Sequence, residues 1–258
     1  MADRRVATIT GGATGVGAAC AEWFARRFCN IVIAYRASAD AAAAVARRCE
    51  ELGSEVELIQ ANVAHDADCR KVAQAAAARW GRIDFLVNSA GTTVFRPMAD
   101  LAALESGDFL DVYAVNVVGP YQMVRAAAPH MPPGSAIINV SSIAGTNGTG
   151  SSYAYAASKG ALNTLTLALA RNLAPDIRVN AVLPGMIEGR WLRDGIGEEA
   201  YHRVREDFAG AAALGRVATP ADIAETVGWL ALSAMLMTGQ LITADAGLLL
   251  GKPPKISK

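Results

Sequence analysis

The sequence predicts an α/β fold, a single doubly wound domain whose mostly parallel, seven-stranded sheet carries helices on both faces. Three observations predict it. Short β-branched apolar runs alternate with stretches of helical periodicity along the first two thirds of the chain. No repeat with a period of 20 to 50 residues appears, which sets aside an Ala-rich repeat array. No Pro/Ser-rich linker divides the 258 residues, so residues 1–258 are assigned to one domain.

The elements follow in order. Val6 to Thr10 is a short, unbroken apolar run, as expected of a strand buried on both faces. Val16, Ala19, Cys20, Trp23 and Phe24 then recur on one helical face. Ile31 to Tyr35 is the second strand. The Ala-rich stretch Asp40 to Leu52 has high helix propensity and stops at Gly53. Val56 to Gln60 is extended, a helix runs from about Ala67 to Trp80, and Ile83 to Asn88 is the next strand. Ala136 to Ser141 and Arg178 to Leu183 follow, each after a long helical stretch. The most apolar segment, Trp229 to Leu250, is interrupted by Ser233, Thr238, Gln240, Thr243 and Asp245. Those polar groups disfavour a membrane span and favour a buried helix followed by a buried strand.

Composition narrows the function. The 24 Lys and Arg balance 24 Asp and Glu, without runs of like charge, so neither nucleic acid nor an acidic membrane surface is an expected partner. Cys20, Cys29, Cys49 and Cys69 are widely spaced and contain no C-x-x-C. They read as buried free thiols in a reducing, cytoplasmic setting. With His65, His130 and His202 equally scattered, no metal site is expected. The apolar run after Met-Ala-Asp-Arg-Arg is too short for a signal peptide.

Between the first strand and first helix lies Thr10-Gly11-Gly12-Ala13-Thr14-Gly15-Val16-Gly17. Glycines let the backbone turn sharply and present amide N–H groups to a pyrophosphate at the positive end of a helix. Such turns also serve plain packing, but the spacing G-x-x-x-G-x-G adds information, since it departs from G-x-G-x-x-G.

That spacing resembles the cofactor motif of the short-chain dehydrogenase/reductase family, in its ketoreductase-like group. Asn88-Ser89-Ala90-Gly91 is similar to the family's N-N-A-G, with Ser89 in place of the second Asn. Asn116 lies in a segment similar to V-N-x-x-G. Ser141-Ser142-Ile143-Ala144-Gly145 and Tyr155-Ala156-Ala157-Ser158-Lys159 match S-S-x-x-G and Y-x-x-x-K. Arg178-Val179-Asn180, Pro184-Gly185 and Thr238-Gly239-Gln240 with Asp245 complete an ordered set spanning nearly the whole chain. The resemblance implies a Rossmann-type fold, a nicotinamide cofactor, and carbonyl or alcohol chemistry on a small molecule.

The second strand ends Tyr35-Arg36-Ala37-Ser38, with no acid before Asp40. An arginine there suits a ribose 2'-phosphate, whereas a carboxylate would accept from the free hydroxyl. NADP(H) is therefore expected, with Arg36 and Ser38 at the phosphate; the plainer alternative leaves Arg36 a solvated surface residue. Asn62 and Val63 stand where the family has Asp-Val, and Asn62 can accept from the adenine amino group. The expected cofactor set is Gly11, Thr14, Gly15, Val16, Gly17, Tyr35, Arg36, Ser38, Asn62, Val63, Asn88, Ala90, Gly91, Tyr155, Lys159, Pro184, Gly185 and Ile187. Gly189 replaces the Thr of P-G-x-I-x-T, so backbone near Ile187 is left to hold the carboxamide.

Tyr155 and Lys159 are four residues apart on one helical face, where the ammonium, helped by the positive nicotinamide of the oxidised cofactor, can lower the phenol's pKa. Tyr155 is the expected general acid or base, and Tyr153, on a different face, is expected to line the substrate pocket. The resemblance assigns Ser142 to the reacting oxygen, Lys159 also to the nicotinamide ribose, and Asn116 to a water in a proton relay. Adjacent side chains in an extended segment face opposite ways, so only one of Ser141 and Ser142 faces substrate. Residues 186–214 form the expected lid, with Trp191 and Leu192 as an apolar wall and Phe95, Val94 and Tyr153 as candidate partners. The resemblance further implies homo-oligomers, generally tetramers, through the helix near Ala154 to Leu173 and the last strand near Leu241 to Ala244. A rival reading is a non-catalytic NADP(H)-binding sensor or scaffold; the full set Asn116, Ser142, Tyr155 and Lys159 weighs against it.

Overall fold

The computed structural model describes residues 4–251. Its first half alternates strand and helix: β1 (Val6–Thr10), α1 (Gly15–Ala25), β2 (Asn30–Tyr35), α2 (Ala39–Glu51), β3 (Val56–Gln60), α3 (Asp66–Trp80) and β4 (Phe85–Asn88). The second half contains α4 (Ser106–Tyr113), α5 (Gly119–Ala127), β5 (Ser135–Val140), α6 (Ala144–Asn147) and α7 (Tyr153–Leu173). It closes with β6 (Ile177–Pro184), α8 (Arg190–Ile196), α9 (Glu198–Ala211), α10 (Pro220–Leu232) and β7 (Leu241–Ala244).

All seven strands are parallel, in the order β3-β2-β1-β4-β5-β6-β7. Successive side chains alternate between two cores, as the pleat requires. Ile31, Ile33, Phe85 and Ile138 join Phe24, Val45 and Leu230 on the face covered by α1, α2 and α10. Val32, Leu86, Ile137 and Val179 join Val72 and Met123 on the face covered by α3 and α5. The chain order reverses between β1 and β4, and in such sheets ligands bind beyond the carboxyl ends of the strands at that point.

One expectation is corrected. The strand near the carboxy terminus is not buried: β7 is the sheet's edge and is half exposed, because it has a neighbour, β6, on one side only. The segment after α10 also leaves Met235 and Leu236 exposed. The expected lid is two helices, α8 and α9, entered through Gly189 and joined at Gly197, both at positive φ. All four cysteines are buried and unpaired, and burial pushes the Cys29 thiol up to about 11 and the Cys49 and Cys69 thiols up to about 12. No helix among the described residues is long and apolar enough to cross a membrane, and no cluster of three metal-ligating side chains occurs among them.

Candidate active site

The glycine turn leads from β1 into α1 at the switch point. Gly11 has φ +65° and lies against the turn after β4; a Cβ on it would fall 2.9 Å from the Ala90 Cα and backbone nitrogen. Thr10 fastens the same junction, its Oγ1 accepting from the backbone N–H groups of Ser89 and Ala90, each at 3.1 Å. Gly15 has φ +53° and open space around its Cα. At the start of α1, Thr14 provides no side-chain cap and the first turn carries no acid. The helix therefore presents uncapped N–H groups and a positive dipole end to the cleft.

A cleft of about 1050 Å³ opens above these turns. It is lined by Gly11, Thr14, Gly15, Val16, Tyr35, Arg36, Ser38, Asn62, Val63, Ala90, Gly91, Tyr155, Lys159, Pro184, Gly185 and Ile187, all expected from the sequence. Arg36 is exposed at its rim, its backbone carbonyl accepting from Gln60 Nε2 at 3.0 Å. Ser38 precedes α2 without capping it, which leaves its hydroxyl to the cleft. Asn62 is held by two bonds: its N–H donates to Asp68 Oδ2 at 2.8 Å, and its Oδ1 accepts from Ala64 N–H at 3.2 Å.

Four expected residues lie elsewhere. Gly17 does not line the cleft; it packs beneath the turn. Asn88 is buried between strands and donates from Nδ2 to Asn139 Oδ1 at 2.9 Å. Asn139 in turn donates to Thr166 Oγ1, so this chain ties β4 through β5 to α7 instead of reaching a ligand. Tyr153 does not line the cleft, because its hydroxyl donates to the Met98 carbonyl at 2.6 Å. Val94 is likewise absent from the wall, whereas Phe95 forms part of it.

Tyr155 and Lys159 share the inner face of α7, one turn apart. The Lys159 Nζ lies 5.6 Å from the centre of the Tyr155 ring and donates to the Val140 carbonyl at 2.9 Å. Burial favours the neutral form of each group. It lowers the ammonium to about 8 and raises the phenol to about 12, the hydrogen bond between Tyr155 and Ser142 only partly opposing the rise. In the protein without cofactor the phenol is therefore raised and not lowered: desolvation is the largest effect, and the phenol holds its proton. Ser142 also accepts from the Ala144 N–H at 3.1 Å. Ser141 faces the other way, donating to Asn163 Oδ1 at 2.6 Å, so the two serines divide as their alternation requires.

Asn116 is fully buried in a five-residue π turn, Ala114–Val118, that joins α4 to α5. Such widened turns re-aim side chains. Its Oδ1 accepts from the Thr92 N–H at 2.8 Å, and its Nδ2 donates to the Thr92 carbonyl at 2.9 Å and to Ser158 Oγ at 3.0 Å. The Asn116 side chain therefore holds the loop after β4 against α7. Thr10 and this loop contact are the features that residue spacing alone did not show.

A doubly wound sheet with an uncapped glycine turn at its switch point and a Tyr–Lys pair across the cleft is the architecture of a nicotinamide-linked oxidoreductase. Residues 11–249 match the family model described as enoyl-(acyl carrier protein) reductase. With its relatives, this shows that the chain belongs to the short-chain dehydrogenase/reductase family. A crystal structure of a short-chain dehydrogenase/reductase from Burkholderia xenovorans is 45% identical, with a TM-score of 0.89 over 97% of this chain and 100% of that one. The 3-oxoacyl-[acyl-carrier-protein] reductase of Thermotoga maritima is 33% identical over 252 residues, covering 96% of this chain and 99% of the relative. A blue fluorescent protein from a metagenomic library, solved in complex with NADPH, is 31% identical with a TM-score of 0.84, covering 95% of this chain and 97% of that one.

Proposed function

We propose that this protein reduces a ketone to a secondary alcohol with NADPH, and catalyses the reverse oxidation. The observation that carries the reading is the Tyr155 phenol, hydrogen-bonded to Ser142, kept protonated by burial and set in the same cleft as the glycine turn. A protonated phenol is the state that gives a proton to a carbonyl oxygen.

The residues present fit the dinucleotide. The uncapped start of α1 suits the pyrophosphate, and the Gly11–Ala90 approach leaves no room for side chains where the backbone must come close. Arg36 and the uncommitted Ser38 hydroxyl support a 2'-phosphate, hence NADP(H) over NAD(H). When bound, NADPH supplies the hydride to the carbonyl carbon. Ser142 donates to the carbonyl oxygen and steadies the charge that grows there. Tyr155 gives the proton that completes the alcohol; in oxidation it accepts that proton. Lys159 places positive charge beside the phenol and a donor near the nicotinamide ribose, and Asn116 holds the loop that closes this end of the cleft. Residues 186–214 act as the lid.

The reading also includes assembly into a tetramer or dimer, supported by the exposed Leu110, Tyr121 and Leu167 and by the half-exposed β7. Buried free thiols support a reducing, cytoplasmic setting.

The test is a paired measurement on the wild type and Tyr155→Phe. The variant should bind NADPH as the wild type does and lose about 10²- to 10⁴-fold in turnover, the range of positioned proton transfer. Surviving turnover, or tighter binding of NADH than NADPH by the wild type, overturns the corresponding half of the reading.

A further inference from the structure

We infer that Trp191 sets the specificity of this cleft and that its substrate is a neutral cyclic ketone; the inference rests on the carbonyl-reductase reading above. Trp191 stands on α8 with its ring in T-shaped contact with Tyr155, the centroids 5.8 Å apart and the planes 72° from parallel. It still leaves 52% of its surface exposed at the cleft. Uncovered indole beside the reacting phenol is apolar area that a bound molecule can cover.

The position of α8 is set from below. The Phe95 ring lies over Gly195 so closely that a Cβ there would fall 2.1 Å from a ring carbon. The loop carrying Phe95 is held at Thr92 by Asn116 and at Met98 by Tyr153. Indole and phenol thus form two sides of a corner. A flat ring stacked on the indole lies nearly perpendicular to the Tyr155 ring, so that its rim, where a ring carbonyl sits, turns toward the phenol.

Charge separates neutral from anionic substrates. Arg190 is 3.5 Å from Asp194, Arg193 is 3.3 Å from Glu198, and Arg205 is bonded to Glu188 at 2.6 Å. Arg96 donates to the Ala103 and Phe95 carbonyls. The lid's described arginines thus sit beside acids, and Arg96, at the cleft, is turned to backbone carbonyls, which leaves the lid without a cation dedicated to a carboxylate or phosphate on the substrate.

The experiment compares a bicyclic aryl ketone (1-tetralone), an open-chain ketone of equal carbon number (2-decanone) and a keto acid on the wild type, Trp191→Ala and Trp191→Phe, with NADPH affinity measured alongside. The wild type should favour 1-tetralone. Trp191→Ala should raise its KM by about tenfold, the order of one lost aromatic contact. The same variant should shift 2-decanone by less than about threefold, and Trp191→Phe should recover part of the loss. An equal effect on all three substrates, a wild-type preference for the keto acid, or a change in assembly state with KM unaltered overturns the inference. No turnover of any carbonyl by a wild type that binds NADPH overturns the activity itself, a separate outcome.

Discussion

Gly17 lies directly beneath Gly11: a methyl group on Gly17 would sit 2.3 Å from the Gly11 carbonyl oxygen. Helix α1 can approach the cofactor turn this closely only while position 17 has no side chain. Gly17→Ala should therefore displace the turn, costing about 1–3 kcal/mol in stability and weakening NADPH binding by at least about tenfold. Gly15→Ala, at φ +53° with space around it, should cost about 1 kcal/mol from backbone strain alone. Chemical denaturation and fluorescence titration of both variants check the contrast; unchanged NADPH affinity in Gly17→Ala would refute it.

The Tyr155–Lys159 pair predicts two opposite pH effects on the protein without cofactor. The native lysine titrates near 8, below its ordinary 10.5, so between those values the unfolded chain binds the extra proton and this group's contribution makes stability rise with pH. The native tyrosine titrates near 12, above its ordinary 10, so over that window the native state binds the extra proton and stability falls. Urea midpoints of wild type and Lys159→Met should converge in favour of the wild type from pH 8 to 10.5. In reduction, kcat/KM should be level below about pH 8 and decline above it as the ammonium is lost. A midpoint difference that does not vary with pH contradicts the first effect.

Ala246 occupies the left-handed region, with φ +56°. Asp245 folds the turn around it, accepting from the Gly247 and Leu249 N–H groups. The conformation costs an alanine roughly 1–2 kcal/mol, partly offset in a glycine by the larger entropy of its unfolded chain. Ala246→Gly should raise the melting temperature by roughly 1–3 °C without changing turnover. A lower melting temperature would show that the Ala246 methyl packs more favourably than its backbone is strained.

The strands were legible because β-branched runs such as Val6–Thr10 and Ile31–Tyr35 are buried on both faces of a parallel sheet, which leaves a continuous apolar signal. The cofactor turn was legible because few residue types permit the Gly11 and Gly15 conformations. Side-chain direction was not. Asn88 matches a motif yet points sideways to Asn139, and Tyr153 is drawn off by the Met98 carbonyl, a partner 55 residues away that helical spacing cannot register. Spacing likewise gives the distance from Tyr155 to Lys159 but not the dehydration of both groups, which raises the phenol and lowers the ammonium in the protein without cofactor. The burial expected of β7 failed because apolar composition does not say which strand ends the sheet.

The four cysteines carry a consequence for observing the molecule in motion. A thiol reagent needs both access and thiolate, and the folded chain withholds both at Cys20, Cys29, Cys49 and Cys69. They sit on α1, just before β2, on α2 and on α3, one station on each successive unit of the cofactor-binding half. Each modification event is then a count of one local opening, and the four rates together form a built-in clock for how, and in what order, this half of the sheet comes apart.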